Sequence, residues 1–180
     1  MRRLLVPTGA ILALACIGVG ILAISASGTS DLSSADVSVL KRATSADDQL
    51  PEQVVDGPSA IQFTNVDEAR LAQTTPDARL YVVPGEGGAL CLVVAWQDST
   101  GTNCGSPESL DNGAIYLARP ASNDTMDVWG IVADGVHDVG GIPVENNTFA
   151  FHGPASASLP LRSGAELRQL YIGSLQPPVP

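Results

Sequence analysis

The hydrophobic and polar positions divide the chain into three parts. Residues 4–24 are almost wholly apolar, and residues 25–60 are rich in Ser, Ala and Asp without a sustained hydrophobic period. Beyond them, short apolar runs alternate with turn residues. A segment without a hydrophobic period cannot bury enough apolar area to offset the entropy lost on ordering it. The pattern therefore predicts a membrane-directed segment at 1–24, a flexible extracytoplasmic linker at 25–60 and a folded domain after the linker.

The N-terminal segment has the length of a transmembrane helix. Arg2 and Arg3 precede the apolar stretch, which predicts a cytoplasmic N-terminus. A helix needs about 20 apolar residues to cross the bilayer, whereas the core of a cleavable signal has about 7–15. Residues 4–24 therefore favour a retained anchor. The expected protein is a single-pass protein of the cell membrane with its C-terminal domain outside the cytoplasm.

Two other fates of this segment remain open. Small residues at 25–27 fit a signal peptidase site, and cleavage there would make the protein secreted. Cys16 follows a sequence that loosely resembles a lipoprotein cleavage box, although Ala13 stands in place of the usual leucine. All three fates place the domain on the same side of the membrane.

A short helix is predicted at 61–75. Asn65 and Glu68 have the spacing of a capping box, and Thr75-Pro76 ends the helix because the residue before proline disfavours the α region.

Residues 76–176 have the pattern of strands. The run 89–96 is apolar on both faces, which is typical of a central, doubly buried strand. Turn residues follow at 85–88, 112–113 and 134–135, and the last of these predicts a two-residue hairpin. Alternation places Met126, Val128 and Val132 on one face and Trp129 and Ile131 on the other, and puts Phe149 and Phe151 together. The predicted fold is mainly β, a small antiparallel β-sandwich or barrel-like domain.

Charge excludes two classes of partner. The net charge is −10, and all 19 acidic residues lie after residue 25. Such a domain repels phosphate backbones and has no basic stripe to offset the repulsion, so nucleic-acid binding is not expected. An acidic surface is not attracted to anionic lipid headgroups either.

The domain contains two cysteines, Cys91 and Cys104. An even pair outside the cytoplasm indicates a disulfide, worth about 3 kcal/mol for a loop of this size. The competing interpretation is a catalytic or metal-binding thiol pair, which would need further ligands or a Cys-x-x-Cys spacing.

Candidate catalytic chemistry is sparse. His137 with Asp134 or Asp138 and one of many serines could form a hydrolase triad, but no Gly-x-Ser-x-Gly turn marks a nucleophile. No residue spacing matches a zinc or calcium site, so no metal or other cofactor is expected. Trp96, Trp129 and Tyr116 are candidate binding contacts if they are exposed.

Four segments resemble a loose group of uncharacterised, membrane-anchored extracytoplasmic β-domain proteins of high-GC Gram-positive bacteria (actinobacteria). The resemblance implies a span, a polar tether, one small β domain and the cysteine pair, but no activity. Ala133 stands where such sequences often have proline. The segments are Val39-Leu40-Lys41-Arg42 with Asp47 and Leu50-Pro51; Leu80–Gly85 with Leu90–Val93 and Cys104; Gly130–Val136; and Val144 with Asn146-Asn147 and Phe149.

These observations favour a non-catalytic, envelope-associated binding or accessory module. Its expected partner is a cell-wall component or another membrane protein. The alternative function is an envelope hydrolase that uses His137.

Overall fold

The structure is a computed structural model that describes residues 37–122, 124–155 and 158–172. It is mainly β, with two short helices, α1 (Glu52–Val55) and α2 (Pro107–Asp111). Five 3-10 helices lie at Ser38–Lys41, Ala46–Asp48, Pro58–Gln62, Val66–Glu68 and Glu86–Gly88. The strands are β1 (Arg70–Thr74), β2 (Ala78–Pro84), β3 (Leu90–Trp96), β4 (Thr100–Gly105), β5 (Ile115–Pro120), β6 (Thr125–Ile131), β7 (Val136–Val139), β8 (Ile142–Pro143), β9 (Thr148–Pro154), β10 (Ser158–Ser163) and β11 (Glu166–Tyr171).

The first four strands form an antiparallel meander, sheet A, in the order β1-β2-β3-β4. Its central strand β3 is buried on both faces, as the uninterrupted apolar run predicts. Leu90, Leu92 and Val94 face one core, whereas Cys91 and Val93 face a second core on the opposite side. The Gly85–Gly88 turn connects β2 to β3, also as predicted.

Sheet B contains β5, β6 and β9 and packs against one face of sheet A. Trp129 and Ile131 of β6 point into the core shared with sheet A, whereas Val128 points to the opposite face. The predicted division of β6 into two apolar faces is therefore confirmed. Gly130 lies directly beneath the Phe149 ring, since an added Cβ would be 2.3 Å from Phe149 Cε1.

Sheet C has the order β11-β10-β7-β8 and packs on the far face of sheet B. Its apolar side chains join those of β6 and β9 in a third core. Sheet B thus lies between sheets A and C, because it contributes side chains to both cores. The buried members of the third core are Val128, Val132, Val139, Phe149, Leu159, Leu161, Leu170 and Ile172.

Two predictions about the β domain need correction. The three antiparallel sheets do not form a closed barrel. The turn at Asp134-Gly135 exists, with a φ of 88° at Gly135, but it does not make a hairpin. It passes the chain from β6 in sheet B to β7 in sheet C, because each of these strands finds its partners elsewhere.

The helix predicted at 61–75 is wrong in most of its length. Asn65 does cap a turn, accepting a hydrogen bond from the Asp67 N–H at 3.0 Å, but the turn is a 3-10 helix that ends at Glu68. Residues 70–74 then form β1, whose pairing with β2 supplies the backbone hydrogen bonds that a helix would have made. The β domain therefore begins at residue 70 rather than 76.

Residues 37–50, here called the strap, lie within the predicted linker but pack against the sheets. Val37 and Val39 are buried in the core between sheets A and B. The Asn147 side chain fixes the strap: its Oδ1 accepts from the Val39 N–H at 3.0 Å, and its Nδ2 donates to Asp134 at 2.8 Å. Asp134 in turn accepts from the Ser38 N–H. Residues 25–36 and the predicted span lie outside the described residues.

A buried carboxylate fastens the second half of the strap to β1. Asp48 is only 5% exposed and accepts from Arg42 Nη1 at 2.8 Å, from the Ser45 N–H at 2.6 Å and from the Leu71 N–H at 2.7 Å. Arg42 also donates to the Leu71 carbonyl at 2.8 Å. Burial raises the pKa of Asp48, but the hydrogen bonds from Arg42, Ser45 and Leu71 outweigh it and hold that pKa well below its usual range.

The disulfide of sheet A joins directly paired residues of β3 and β4. Cys91 and Cys104 are cross-strand neighbours whose Cα atoms are 4.0 Å apart. Cys91 is fully buried in the second core, and Gln62 lies against the pair, with its Oε1 3.1 Å from Cys104 Sγ.

Replacing Asp48→Asn should lower the free energy of unfolding by about 3 kcal/mol at pH 7, because it removes the charge of a buried carboxylate that accepts hydrogen bonds from Arg42, Ser45 and Leu71. The folded-state pKa of Asp48 lies below its unfolded value of about 3.9, so its stabilisation is complete above that pH and is lost as the pH falls below it. Urea unfolding should be measured at several pH values from 7 to 2. The difference in free energy of unfolding between wild type and variant should become smaller as the pH falls. The exposed neighbour substitution Asp47→Asn is the control and should change stability by less than about 0.5 kcal/mol. A gap that stays constant with pH would contradict this role of Asp48.

Removing the disulfide by Cys91→Ala with Cys104→Ala should cost about 3 kcal/mol of stability through the greater freedom of the unfolded chain. Reductant should lower the urea midpoint of the wild type towards that of the double variant and leave the variant itself unchanged. If reductant left the urea midpoint of the wild type unchanged, even after denaturation and refolding in its presence, the disulfide would not contribute to stability.

Candidate functional site

Three ionic side chains form a row across sheet B. The strand register pairs Arg119 of β5 with Asp127 of β6, and Asp127 with His152 of β9. Asp127 accepts from Arg119 Nη2 at 3.1 Å and from the His152 ring nitrogen Nδ1 at 2.7 Å. Sequence reasoning missed this row, since strand register alone brings together residues that lie 8 and 25 positions apart.

Two tryptophans lie beside the row. Trp96 ends β3 in sheet A and Trp129 lies on β6, and their rings meet edge to face with centroids 5.1 Å apart. The Arg119 guanidinium lies over both rings, 4.8 Å from the Trp96 centroid and 5.2 Å from that of Trp129. A guanidinium in this position is attracted by the negative faces of both indoles. Arg119 thus joins the two sheets at this end of their shared core.

Solvent access differs among the members of the row. The Asp127 side chain is 22% exposed, whereas that of His152 is 63% exposed. Burial raises the pKa of Asp127, but the hydrogen bonds from His152 and Arg119 outweigh it, and the net effect is a lowered pKa. Asp127 therefore stays ionised and neutralises Arg119 at neutral pH.

A cleft of about 330 Å³ opens beside the tryptophans at this end of sheet A. Two turns build it: the β1–β2 turn supplies Pro76 and Asp77, and the β3–β4 turn supplies residues 97–99. The turn residues are exposed, whereas Trp96 is partly buried and Trp129 only 5% exposed. We call this the tryptophan cleft; it is lined by Pro76, Asp77, Trp96, Gln97, Asp98, Ser99 and Arg119.

The aromatic candidates from the sequence do not all meet here. Trp96 lines the cleft, and Trp129 lies behind it in the core, in contact with the Trp96 ring. Tyr116 is on the opposite face of sheet B, packs against the third core, and donates its hydroxyl to the Tyr171 carbonyl at 3.3 Å.

The structure does not bring His137 together with its two candidate acids. His137 is exposed on β7. Asp138 accepts from the Gly141 N–H at 3.1 Å and lies 3.7 Å from Arg162. Asp134 is engaged by Ser38 and Asn147. The side chains of both acids thus have partners that belong to turns and to the strap.

The arrangement of His152 has the geometry of an oriented base. Its Nδ1 is held by Asp127, which leaves Nε2 directed elsewhere, as in the His–Asp part of a hydrolytic triad. Asp127 is the one hydrogen-bond partner of the His152 ring in the described part of the chain. Within the same residues no group of three or more His, Cys, Asp or Glu side chains could hold a metal ion.

The helices of the described ranges are short. None of their helices has both the length and the apolar character to cross a bilayer. Residues 4–24, where the sequence predicts the span, are not among them.

The substitution Arg119→Gln should expose the tryptophan pair to solvent, because it removes the guanidinium that covers both rings. Trp96 and Trp129 are the only tryptophans of the chain, so intrinsic fluorescence reports this site alone. The emission maximum should move to longer wavelength, and acrylamide quenching should increase about twofold, in proportion to the exposed ring area. Arg162→Gln on sheet C is the matched control. Unchanged emission in Arg119→Gln would mean that Arg119 does not cover the rings in solution.

Comparison with known proteins identified no relative. No protein-family model, no curated protein and no solved structure matches the chain. The resemblance to actinobacterial envelope proteins remains an expectation that rests on its four sequence segments.

Proposed function

We propose that the protein is a non-catalytic, extracytoplasmic, envelope-associated module that binds a cell-wall component through the tryptophan cleft. Residues 4–24 anchor it in the cell membrane with the N-terminus in the cytoplasm. Sheets A and B form a β-sandwich around their shared core, and sheet C adds a third layer. The cleft lies at one open end of the sandwich.

The observation that carries this proposal is the position of the cleft relative to the strap. The start of the strap, at Ser38 and Val39, is held by Asp134, which follows the end of β6, and by Asn147, which precedes the start of β9. Asp127 and His152, beside the cleft, lie towards the opposite ends of the same two strands. Along β6, the distance from Asp127 to the last residue of the strand, Ile131, is already about 13 Å. The chain therefore enters the domain at one end of sheet B, and the cleft opens at the other.

The docked strap also shortens the distance to the membrane. With residues 37–50 packed on the sheets, only residues 25–36 connect the domain to the predicted span. Twelve residues reach at most about 40 Å when fully extended, against about 120 Å for a linker that ran to residue 60. The start of the strap at Val37 thus stays close to the bilayer, and the cleft at the other end of sheet B is directed towards the wall.

The charge of the domain agrees with this orientation. The chain has a net charge of −10 and all its acidic residues lie after residue 25, so the domain is not drawn onto anionic headgroups and its surface remains free to face outward. A cleft directed away from the bilayer favours a wall ligand over a neighbour that lies in the membrane plane.

The test uses the full-length protein in nanodiscs, mixed with purified cell-wall material of the source organism and separated by sedimentation. Wild type should sediment with the wall. The double variant Asp77→Asn/Asp98→Asn changes two exposed lining residues and should lower the bound fraction at least tenfold, since hydrogen bonds to charged acceptors contribute about 1.5–3 kcal/mol each. Tyr171→Ala, an exposed aromatic far from the cleft on β11, is the control and should bind as wild type.

Two results would overturn the proposal. A stoichiometric membrane-protein partner in crosslinked copurification, together with no wall binding, would make the protein an accessory subunit. Release of soluble wall fragments by wild type, abolished by His137→Ala, would instead establish the hydrolase.

A further inference from the structure

We propose that the tryptophan cleft binds a neutral carbohydrate ring, one saccharide unit of a glycan. This inference rests on the proposed function and adds the chemical class of its ligand. The lining combines one indole with a ring of exposed polar groups, and the cleft volume of about 330 Å³ lies at the lower end of small-molecule sites, about 300–1,000 Å³. Such a volume suits one or two small rings.

The chemistry of the lining matches the two kinds of surface on a sugar ring. A pyranose presents axial C–H bonds on its faces and hydroxyl groups around its edge. The part of Trp96 that Arg119 leaves uncovered lines the cleft and offers an apolar, polarisable surface for the C–H bonds. Around it, Asp77 and Asp98 accept hydrogen bonds from hydroxyl groups, and the Gln97 amide both donates and accepts.

The indole is held in place before any ligand arrives. Trp129 contacts one edge of the Trp96 ring, and Arg119 lies over it. The far edge of the ring lies close to the backbone of β4, since a Cβ added at Gly101 would be 2.9 Å from Trp96 Cη2. A contact surface fixed in this way loses little conformational entropy on binding, which favours affinity for a small ligand.

Charge distinguishes a neutral ring from the other wall ligands. Arg119 is already paired with Asp127 and lies over the indoles, which reduces its attraction for an anionic polymer. Asp77 and Asp98 repel phosphate and carboxylate groups. A cationic amine would be attracted to the same two acids, and that attraction would weaken with salt, because exposed charges are screened within about 10 Å at 0.1 M.

The experiment titrates full-length protein in nanodiscs with a set of soluble neutral oligosaccharides: tetramers of β-1,4-linked N-acetylglucosamine, of glucose and of galactose. Both tryptophans lie at the site, so their fluorescence measures occupancy. At least one oligosaccharide should give a saturable change that is insensitive to salt between 50 and 500 mM. Asp77→Asn/Asp98→Asn should weaken that binding at least tenfold, and Tyr171→Ala should leave it unchanged.

Three results would overturn the carbohydrate assignment: no saturable signal from any oligosaccharide, binding that the double variant does not alter, or a ligand whose binding falls steeply with salt. Retained sedimentation with the wall, lost in Asp77→Asn/Asp98→Asn, would then show that the proposed function holds and only the ligand class is wrong. A wild type that binds neither the wall nor any of the oligosaccharides would overturn both proposals. Unchanged thermal unfolding of the double variant confirms that folding is not the cause.

Discussion

The architecture depends on the double burial of β3. A strand with apolar side chains on both faces is stable only if each face of its sheet is covered. Sheet B covers one face of sheet A, and α1, Phe63 and Ala69 cover the other. The segments before and after sheet A are therefore both parts of the fold.

Sheet B also has apolar side chains on both faces, so it too must be covered on both sides. Alternation along β6 leaves Val128 and Met126 on the face away from sheet A, so a third layer is needed to cover them, and sheet C supplies it. In the described part of the chain, other elements close the two ends of the core between sheets A and B. At one end the strap fills the gap with Val37 and Val39, and at the other the gap is filled by Trp96, Trp129 and Arg119. The two ends of one core are thus closed by different elements, the strap at one and an arginine over two indoles at the other.

The pattern of apolar and polar residues correctly predicted burial where the face of a side chain depends only on its position within its own strand. Period-two alternation correctly divided residues 125–132 between two cores, and the apolar run at 89–96 correctly indicated a central strand. It failed where a partner distant in sequence decides the conformation. Residues 70–74 follow a genuine capping residue, yet pairing with β2 makes them a strand. Residues 37–50 have no hydrophobic period, yet Asn147 and Leu71 order them by contacts across more than 20 positions.

The sequence by itself determined the mainly β character, the turn between β2 and β3, and the acidic charge, because each follows from composition or from neighbours within a few residues. The sequence also indicated the two tryptophans as candidate binding residues, but it did not predict that their rings are in contact. Only the tertiary structure decided that Trp96 and Trp129 lie under one arginine, that Asp127 connects this arginine to His152, and that the start of the strap and the cleft lie at opposite ends of sheet B. The physical reason is that strand register and sheet stacking are set by the packing of the whole core, and no local pattern encodes which strands become neighbours.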